Sequence, residues 1–170
     1  MRKGVQREIL VKLFIGMISG DERLFRDVEK NLVGLYGEID LRSPVYEWRH
    51  TTYYEKELGK DLKRQFIFFH EPIRADTLPD IKIKTNSIED TFSIEGKRRI
   101  NLDPGYITSA KVVLASTKDF AHRIYLRDGI YAEVTLLYHN RTFNPLSYTF
   151  PDFRTEEYIS LFNTARNLLK

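Results

Sequence analysis

Residues 11–19 read VKLFIGMIS, a β-branched and aromatic stretch near the start of the 170-residue chain. Side chains of a strand alternate between its two faces. One face of this stretch carries Leu13, Ile15 and Met17, and the other carries Phe14 and Ile18. Because both faces are apolar, the stretch is predicted to be a central strand that is covered on both sides.

A helix is predicted directly after this strand. The run Ser19-Gly-Asp-Glu22 has the form of a capping box, in which Ser19 is the N-cap and Glu22 reaches back to it. Apolar residues then recur at helical spacing from Leu24 to Tyr36, and Gly37 is placed to end the helix.

The remaining elements follow from periodicity and turn residues. Asp128-Gly129 predicts a two-residue type I′ turn between two strands. Residues 103–105, Asp-Pro-Gly, suit a type II turn that ends a strand. The segment 108–116 could form a strand or a helix, and its β-branched residues favour a strand. The further predictions are strands over 38–48, 62–69, 99–102, 122–127, 130–138 and 143–149, and helices over 78–92 and after Thr155.

The order of the first six elements is βαββαβ, which is the split βαβ arrangement of ferredoxin-like folds. The later strands extend this core as a C-terminal antiparallel β-meander, and a final helix follows. We therefore predict an α+β fold with a ferredoxin-like βαββαβ core. No linker or composition break interrupts the chain, which predicts one domain over residues 1–170.

Composition excludes several classes of protein. The chain has 27 Lys plus Arg and 24 Asp plus Glu, and a net charge of +3 does not indicate a nucleic-acid partner. It has no cysteine, which excludes disulfides, zinc ribbons and thiol nucleophiles. The most apolar stretch, residues 9–18, is interrupted by Lys12 and Gly16 and is shorter than the about 20 residues that cross a bilayer. We expect a cytoplasmic protein without a membrane segment.

Standard cofactor and catalytic motifs are also missing from the sequence. There is no G-x-x-x-x-G-K-[ST] phosphate loop, no G-x-G-x-x-G fingerprint and no G-x-S-x-G elbow. The four histidines show no paired metal-ligand spacing. We therefore predict no cofactor and no metal site, and the sequence leaves open whether the protein is an enzyme.

The predicted hairpin allows a geometric argument about one pair of side chains. We predict that Arg127 pairs with Ile130 across the turn. Ile124 then faces Glu133, and His122 becomes a diagonal neighbour of that carboxylate. Such a pair suits general acid–base catalysis, with His122 as the base and Glu133 orienting it. A structural hydrogen bond or an exposed polar face is the alternative.

Polar side chains gather at the ends of two predicted strands, in residues 99–106 and 118–123. Binding residues concentrate in loops that a rigid sheet holds in place. The planar fork of arginine suits bidentate contacts to phosphate or carboxylate. We therefore predict a pocket for an anionic, phosphate-bearing small molecule, a nucleotide being one such compound; a turn with solvated charges is the alternative. The predicted ligand-binding residues are Arg99, Asp103, Tyr106, Lys118 and Arg123.

Residues 52–59, TYYEKELG, form another polar segment. Tyr53 and Glu55 are secondary candidates for the site, because they could line a ligand cleft or bind a divalent ion through oxygen. The alternative is a solvated short helix that ends at Gly59.

Two other classes of function stay open. Phe14 in the first strand and Phe66 and Phe68 in the third fall where RNA-recognition folds keep stacking aromatics. Gln65 and Ile67 replace the glycines of that motif, and an RNA-binding module would need the three rings on an exposed face. Both strands are apolar on both faces, which favours core packing of the rings under the C-terminal meander or helix. A protein–protein interaction domain without catalysis is the other alternative, and it would present an apolar surface patch.

Several runs of the sequence resemble a family of small prokaryotic proteins classed only as a domain of unknown function. These runs are residues 52–59, 99–106 (RINLDPGY), 118–125 (KDFAHRIY), 128–135 (DGIYAEVT) and 148–154 (YTFPDFR). The resemblance implies a single-domain cytoplasmic protein. It carries over no catalytic residue, because the family has no agreed activity.

Some members of this family are labelled GTP-binding regulators. A GTPase needs a phosphate loop, which this sequence lacks. It also needs a guanine-reading [NT]-K-x-D motif, and residues 117–120, Thr-Lys-Asp-Phe, have the acid one position early. Any nucleotide binding here would therefore use a different construction.

Overall fold

The computed structural model describes residues 4–5 and 8–170. These residues form an α+β structure with ten strands and four α-helices, which confirms the predicted fold class. The strands are β1 Leu10–Ser19, β2 Ile39–Arg42, β3 Tyr46–Glu47, β4 Lys63–Phe69, β5 Ile73–Arg74, β6 Asn101–Ile107, β7 Lys111–Ser116, β8 Ile124–Arg127, β9 Ile130–His139 and β10 Thr142–Pro145. The helices are α1 Glu22–Tyr36, α2 Glu55–Leu58, α3 Leu78–Thr91 and α4 Glu156–Arg166. None of the helices in this described part is both long enough and apolar enough to cross a membrane.

The ten strands form one sheet in which all pairs are antiparallel. Its order is β10-β9-β7-β6-β1-β4-β2, with β3 beside β4, β5 beside β1 and β8 beside β9. The predicted central position of β1 is confirmed, because β6 and β4 flank it. The segment 108–116 forms a strand, as favoured. Positive φ angles of 53° at Asp128 and 77° at Gly129 give the predicted tight turn between β8 and β9.

Both faces of β1 are buried, each by different helices. Residues of α1 and α3 pack on the face that carries Leu13 and Ile15. Helix α4 packs on the other face. There the ring centroid of Phe162 lies within 5.5 Å of the ring centroids of Phe14, Phe66 and Phe68. These three rings are fully buried. The favoured core packing of these rings is therefore confirmed, and they offer no exposed face on which RNA could stack.

The first turn of α1 differs from the predicted capping box. Ser19 remains in β1, and the N-cap is Asp21, whose carboxylate accepts the Arg23 N–H at 3.0 Å. The Ser19 hydroxyl accepts the Asp21 N–H at 3.1 Å and donates to the Arg99 carbonyl at 2.7 Å. Strand β1 thus extends almost to the start of α1, and Asp21, whose carboxylate can accept a backbone N–H of the first turn, caps the helix instead of Ser19.

The predicted type II turn at residues 103–105 is wrong, because β6 runs through it as a strand. These residues pair with the middle of β1. A Cβ at Gly105 would lie 2.3 Å from the Val113 carbonyl oxygen and 2.5 Å from Phe14 Cζ. The glycine therefore serves close packing within the sheet rather than a reversal of the chain.

Two predicted strands are shorter than expected. The segment 38–48 forms β2 and β3 on either side of Pro44, and the segment 143–149 remains a strand only as far as Pro145. Proline lacks an N–H for the ladder, which accounts for both interruptions. Thr155 caps α4 as predicted, since its hydroxyl accepts the Tyr158 N–H at 3.4 Å.

Candidate functional site

Strands β6 and β7 pair along only part of their length. The paired residues are 105–107 of β6 and 112–114 of β7. Beyond them, β6 continues along β1 to Asn101, and β7 continues along β9 to Ser116. The two strands separate, and a cleft of about 780 Å³ opens between them. This volume is in the range of small-molecule sites, about 300–1,000 Å³; we name it the β6–β7 cleft.

Pro104 contributes to the separation of the two strands. The N–H and C=O of Leu102 contact α3, so they point away from β1. Pro104 lies two residues further along, so its backbone groups also point away from β1 toward β7. It has no N–H to donate in that direction. The ladder between β6 and β7 therefore begins only after this residue.

Side chains near α3 take the place of the missing strand partner. Glu89 Oε1 accepts the Leu102 N–H at 2.7 Å, and Lys82 Nζ donates to the Leu102 carbonyl at 3.1 Å. Arg98 Nη1 donates to Glu89 Oε2 at 3.1 Å. Burial raises the pKa of Glu89, although the backbone hydrogen bond and the two cations oppose the rise. These three side chains stabilise the free edge of β6.

The mouth of the cleft is aromatic and carries a lysine. The aromatic lining residues at the mouth are the exposed Tyr53, Phe120 and Phe150, and Trp48, Tyr54 and Phe153 line the cleft further in. Lys118 Nζ lies 3.1 Å from Tyr53 Oη and 4.5 Å from the centroid of the same ring. Among the residues that the structure describes, Lys118 forms no salt bridge, so its charge is available to a ligand.

Arg64 of β4 forms the floor of the cleft and is only 2% exposed. Its Nη1 donates to Asp103 Oδ2 at 2.9 Å, and its Nη2 lies 4.0 Å from Asp152 Oδ2. The guanidinium carbon is 4.6 Å from the Phe66 ring centroid and 5.4 Å from that of Trp48. A buried cation is thus held by two carboxylates and by aromatic faces.

The two carboxylates beside Arg64 have opposite pKa shifts. Burial disfavours the ionised form of both. At Asp103, the charges of Arg64 and Lys82 outweigh burial and hold the pKa below its usual range. At Asp152, burial outweighs the charge of Arg64 and raises the pKa. The difference agrees with the geometry, because Arg64 is closer to Asp103 than to Asp152.

Gly16 of β1 makes room for the guanidinium group. It pairs with Phe66, and Arg64 lies two residues away on the same face of the sheet. A Cβ at Gly16 would lie 2.8 Å from Phe66 Cε1 and 3.0 Å from Arg64 Nη2. Arg64 can therefore extend over the sheet only because this position has no side chain.

The predicted contact between His122 and Glu133 is present. His122 Nε2 lies 2.9 Å from Glu133 Oε2, and Arg123 Nε donates to the same oxygen at 2.9 Å. Thr135 Oγ1 donates to Glu133 Oε1 at 3.1 Å. The His122 ring stacks on Tyr148 with 4.0 Å between centroids. Glu133 lines the cleft, whereas His122 lies outside its lining.

The register used to predict this contact is only partly correct. Arg127 pairs with Ile130 as expected, but a bulge in β8 shifts the next pairs, so Ile124 no longer faces Glu133. The contact forms nevertheless because His122 precedes β8 and is not bound by its register.

The cleft brings together a subset of the predicted ligand-binding residues, namely Tyr53, Asp103, Lys118 and Arg123. Asp103 is engaged by Arg64. Arg123 donates to Glu133 and also to Ser116 Oγ at 2.9 Å and to the Lys118 carbonyl at 3.1 Å. Asp103 and Arg123 therefore shape the walls, while Lys118 and Tyr53 face the open mouth.

Arg99, Tyr106 and Glu55 lie outside the lining of the cleft. Arg99 Nη2 donates to Asp21 Oδ2 at 3.4 Å, beside the start of α1. Tyr106 is on the opposite face of β6 from Asp103, because it lies three positions further along the strand and side chains alternate between the faces. Glu55 is exposed in the single turn of α2, which agrees with the alternative of a solvated short helix ending at Gly59.

The family resemblance is confirmed over almost the whole chain. A scan against protein families matches residues 9–168 to the family described as Domain of unknown function (DUF4416). The chain belongs to this family. Comparisons with curated proteins and with solved structures found no match. Each of the five sequence runs that carry the resemblance supplies lining residues to the β6–β7 cleft. The family-specific sequence of this DUF4416 chain is therefore concentrated around the cleft.

Sequence reasoning missed the floor of the cleft, which is formed by Trp48, Arg64, Asn101 and Asp152. Trp48 and Arg64 stand in or beside extended segments without a motif, whereas Asn101 and Asp152 lie in the runs 99–106 and 148–154 but were not singled out there as site residues. One signal was available, a glycine inside the otherwise apolar strand 11–19. Such a glycine marks the close approach of another group, but only the register between β1 and β4 identifies that group as Arg64.

Proposed function

We propose that the β6–β7 cleft binds a small anionic molecule, with phosphate-bearing compounds such as nucleotides as the leading class. The observation that carries this proposal is Lys118, a cleft cation without a salt bridge among the described residues. The other cations of the lining are engaged by protein groups: Arg64 by Asp103, Arg98 by Glu57 and Glu89, Arg123 by Glu133, and Lys82 by the Leu102 carbonyl. An anionic group at the mouth would give Lys118 a countercharge, which its contacts with the neutral Tyr53 ring and hydroxyl do not supply.

The aromatic residues beside Lys118 favour a ligand that also carries a flat ring. Tyr53 and Phe120 lie at the mouth, and Trp48, Tyr54 and Phe153 continue the apolar lining inward. Aromatic side chains offer faces on which a ring can stack. A molecule with an anionic group and a ring would use both features of the cleft.

We favour a binding or regulatory role in the cytoplasm over catalysis by His122. This ring lies outside the cleft lining, and Glu133 Oε2 already contacts both His122 and Arg123. A catalytic base needs access to the proton it removes. If an activity is found, His122→Ala tests this choice: a folded variant that loses all turnover would contradict it.

The proposal is tested by a thermal-shift screen of the purified protein against nucleotides, phosphosugars and inorganic phosphate. A ligand at 100 times its dissociation constant adds about 2.7 kcal/mol of stability. For a domain of this size, that corresponds to a rise in melting temperature of roughly 5–11 °C. We expect such a shift with at least one phosphate-bearing compound.

Two lysine variants locate the binding site. Lys118→Met is expected to abolish the shift, because it keeps the length of the side chain and removes its charge. Lys84→Met is the matched control, since Lys84 is exposed on α3 and lies outside the cleft lining. No shift with any compound, or an equal shift in both variants, would refute the proposal.

A protein-interaction role is the second candidate, favoured by strand β8. All four of its residues are exposed, and they include Ile124, Tyr125 and Leu126. Apolar residues on an exposed strand suit addition of a partner strand. A partner that copurifies with the wild type and with Lys118→Met, and is lost from Ile124→Asp, would favour this role over ligand binding.

We also propose that β1, α1, β2, β4, α3 and β6 form a ferredoxin-like unit. The sheet order β6-β1-β4-β2 supports it. Strand β4 lies between β1 and β2, the strands before and after α1, and β1 lies between β4 and β6, which precede and follow α3 in this unit. A crystal structure in which α1 and α3 cover one face of these four strands would agree with this arrangement, and helices on opposite faces would contradict it.

A further inference from the structure

Polar side-chain atoms without hydrogen-bond partners gather at the floor of the β6–β7 cleft. Four such atoms are fully buried in the described part of the chain: Trp48 Nε1, Arg64 Nε, Asn101 Nδ2 and Tyr158 Oη. Buried polar groups are nearly always paired, because leaving one unpaired is costly. A ligand with complementary groups would pair such a cluster in a ligand-sized cleft.

These atoms belong to one region of the sheet. Ile18 of β1 pairs with Arg64 on one side and with Asn101 on the other, so the latter two side chains lie on the same face. The Trp48 ring centroid is 5.4 Å from the Arg64 guanidinium carbon. Trp48, Arg64 and Asn101 all line the cleft, and Tyr158 lies behind them against Phe66.

The three unpaired groups that line the cleft are all N–H donors. An indole and a guanidinium nitrogen can only donate. Asn101 Oδ1 accepts from Arg98 Nη1 at 2.9 Å, so the group that Asn101 can offer to a ligand is its amide NH₂, which also lies near the Asp103 carboxylate. The complementary ligand group is therefore a hydrogen-bond acceptor.

The charge of the floor disfavours a second anion there. Asp103 lies 2.9 Å and Asp152 lies 4.0 Å from the Arg64 guanidinium, so its positive charge is already compensated. A further anion would face two acidic groups, of which Asp152 is buried, and would lose its hydration. An uncharged acceptor, such as a carbonyl oxygen, satisfies the donors without this electrostatic penalty.

We infer that the floor of the cleft recognises a neutral ring carbonyl of the same ligand whose anionic group lies at Lys118. This inference rests on the proposed function and narrows it to compounds with an oxo-substituted ring and a phosphate. A ring with an amino group at the corresponding position brings donors to donors, and the site selects against it.

Two pairs of nucleoside monophosphates test the inference by isothermal titration calorimetry. IMP and AMP differ by an oxo or an amino group on the purine, and UMP and CMP differ in the same way on the pyrimidine. We expect the oxo member of at least one pair to bind about tenfold more tightly than its amino counterpart, the effect of one or two buried hydrogen bonds.

Variants of the floor connect this preference to its donors. Trp48→Phe removes the indole N–H and keeps an aromatic ring, and Asn101→Asp replaces the amide donor by an acceptor of the same shape. We expect at least one of them to reduce the oxo-to-amino affinity ratio at least about threefold, within the energy range of a single hydrogen bond. Tyr138→Phe is the control, because this ring contacts Phe143 and Arg166 and lies outside the cleft lining.

The outcomes separate the inference from the proposed function. Equal affinity within both pairs, tighter binding of the amino members, or a preference unchanged in both floor variants would overturn the inference and leave the phosphate site intact. Binding of phosphosugars without binding of any of the four nucleotides would do the same. If no phosphate-bearing compound binds at all, the proposed function fails and the inference fails with it.

Discussion

Replacing Gly16 with alanine perturbs the floor of the β6–β7 cleft and leaves its mouth intact. The new Cβ would lie 2.8 Å from Phe66 Cε1, 3.0 Å from Arg64 Nη2 and 3.1 Å from Arg64 Cζ, all shorter than ordinary contacts. Rings and carboxylates surround Arg64 on its other sides, so its guanidinium group has to move toward the cleft. We expect its 2.9 Å hydrogen bond to Asp103 to break.

The size of the effect follows from two opposing contributions. Breaking a buried ion pair costs about 3–5 kcal/mol, because a charge is left uncompensated inside the protein. Replacing glycine by alanine at an unstrained position gains about 0.4–1 kcal/mol by reducing the entropy of the unfolded chain. The free energy of unfolding of Gly16→Ala should therefore fall by about 2–4 kcal/mol.

Urea unfolding followed by circular dichroism measures this change. The matched control is Gly34→Ala in α1, where an added Cβ meets nothing within 4 Å. We expect the control to be about 0.5–1 kcal/mol more stable than the wild type, since alanine favours a helix. If Gly16→Ala stays within about 1 kcal/mol of the wild type while the control behaves as expected, the account of the floor is wrong.

Two further predictions concern buried carboxylates. Asp152→Asn should raise the free energy of unfolding at pH 7, because burial raises the pKa of Asp152 and makes its ionised form unfavourable in the folded protein. The gain should disappear below about pH 4, where this carboxyl group is protonated in both the folded and the unfolded protein. Equal gains in thermal melts at neutral pH and at this acidic pH would contradict the reasoning. Glu133→Ala should lower the free energy of unfolding by about 3–5 kcal/mol, because it leaves Arg123 buried without a carboxylate. Urea unfolding of the exposed control Glu71→Ala should differ from the wild type by less than about 0.5 kcal/mol, and equal losses in the two variants would exclude a special role for Glu133.

Most secondary structure was predictable from signals between close neighbours in the chain. Asp128-Gly129 forms the predicted turn because both residues accept positive φ, and Thr155 caps α4 through an oxygen three residues from its partner N–H. The stretch 11–19 is a central strand because its own residues are apolar on both faces. None of these outcomes requires knowledge of a distant segment.

The errors lie where a distant strand determines the conformation. Residues 103–105 have the composition of a turn, yet pairing with β1 keeps them extended. Ser19 has the position of an N-cap, yet it remains in β1 and donates to the distant Arg99 carbonyl. In each case, contacts far apart in sequence outweigh the local preference.

The candidate site shows the same division between near and distant residues. The polar ends of predicted strands pointed to Lys118, Asp103 and Arg123, because loops next to strand ends are common binding positions. The ion pair between Arg64 and Asp103 was not visible, because it requires two strands to flank Gly16 in one specific register.

Short-range patterns in this chain thus determined the first strand, three long helices and the tight hairpin, since hydrogen bonds and side-chain spacing within a few residues are sufficient for each. The β6–β7 cleft has a different origin. It exists because Pro104 and the side chains of α3 hold the edge of β6 away from β7 while both strands remain paired on their other sides. Arg64 reaches the floor of the cleft because Gly16, which is diagonal to it on β1, has no side chain. These relations join segments that meet only after folding, so the tertiary structure alone determines them.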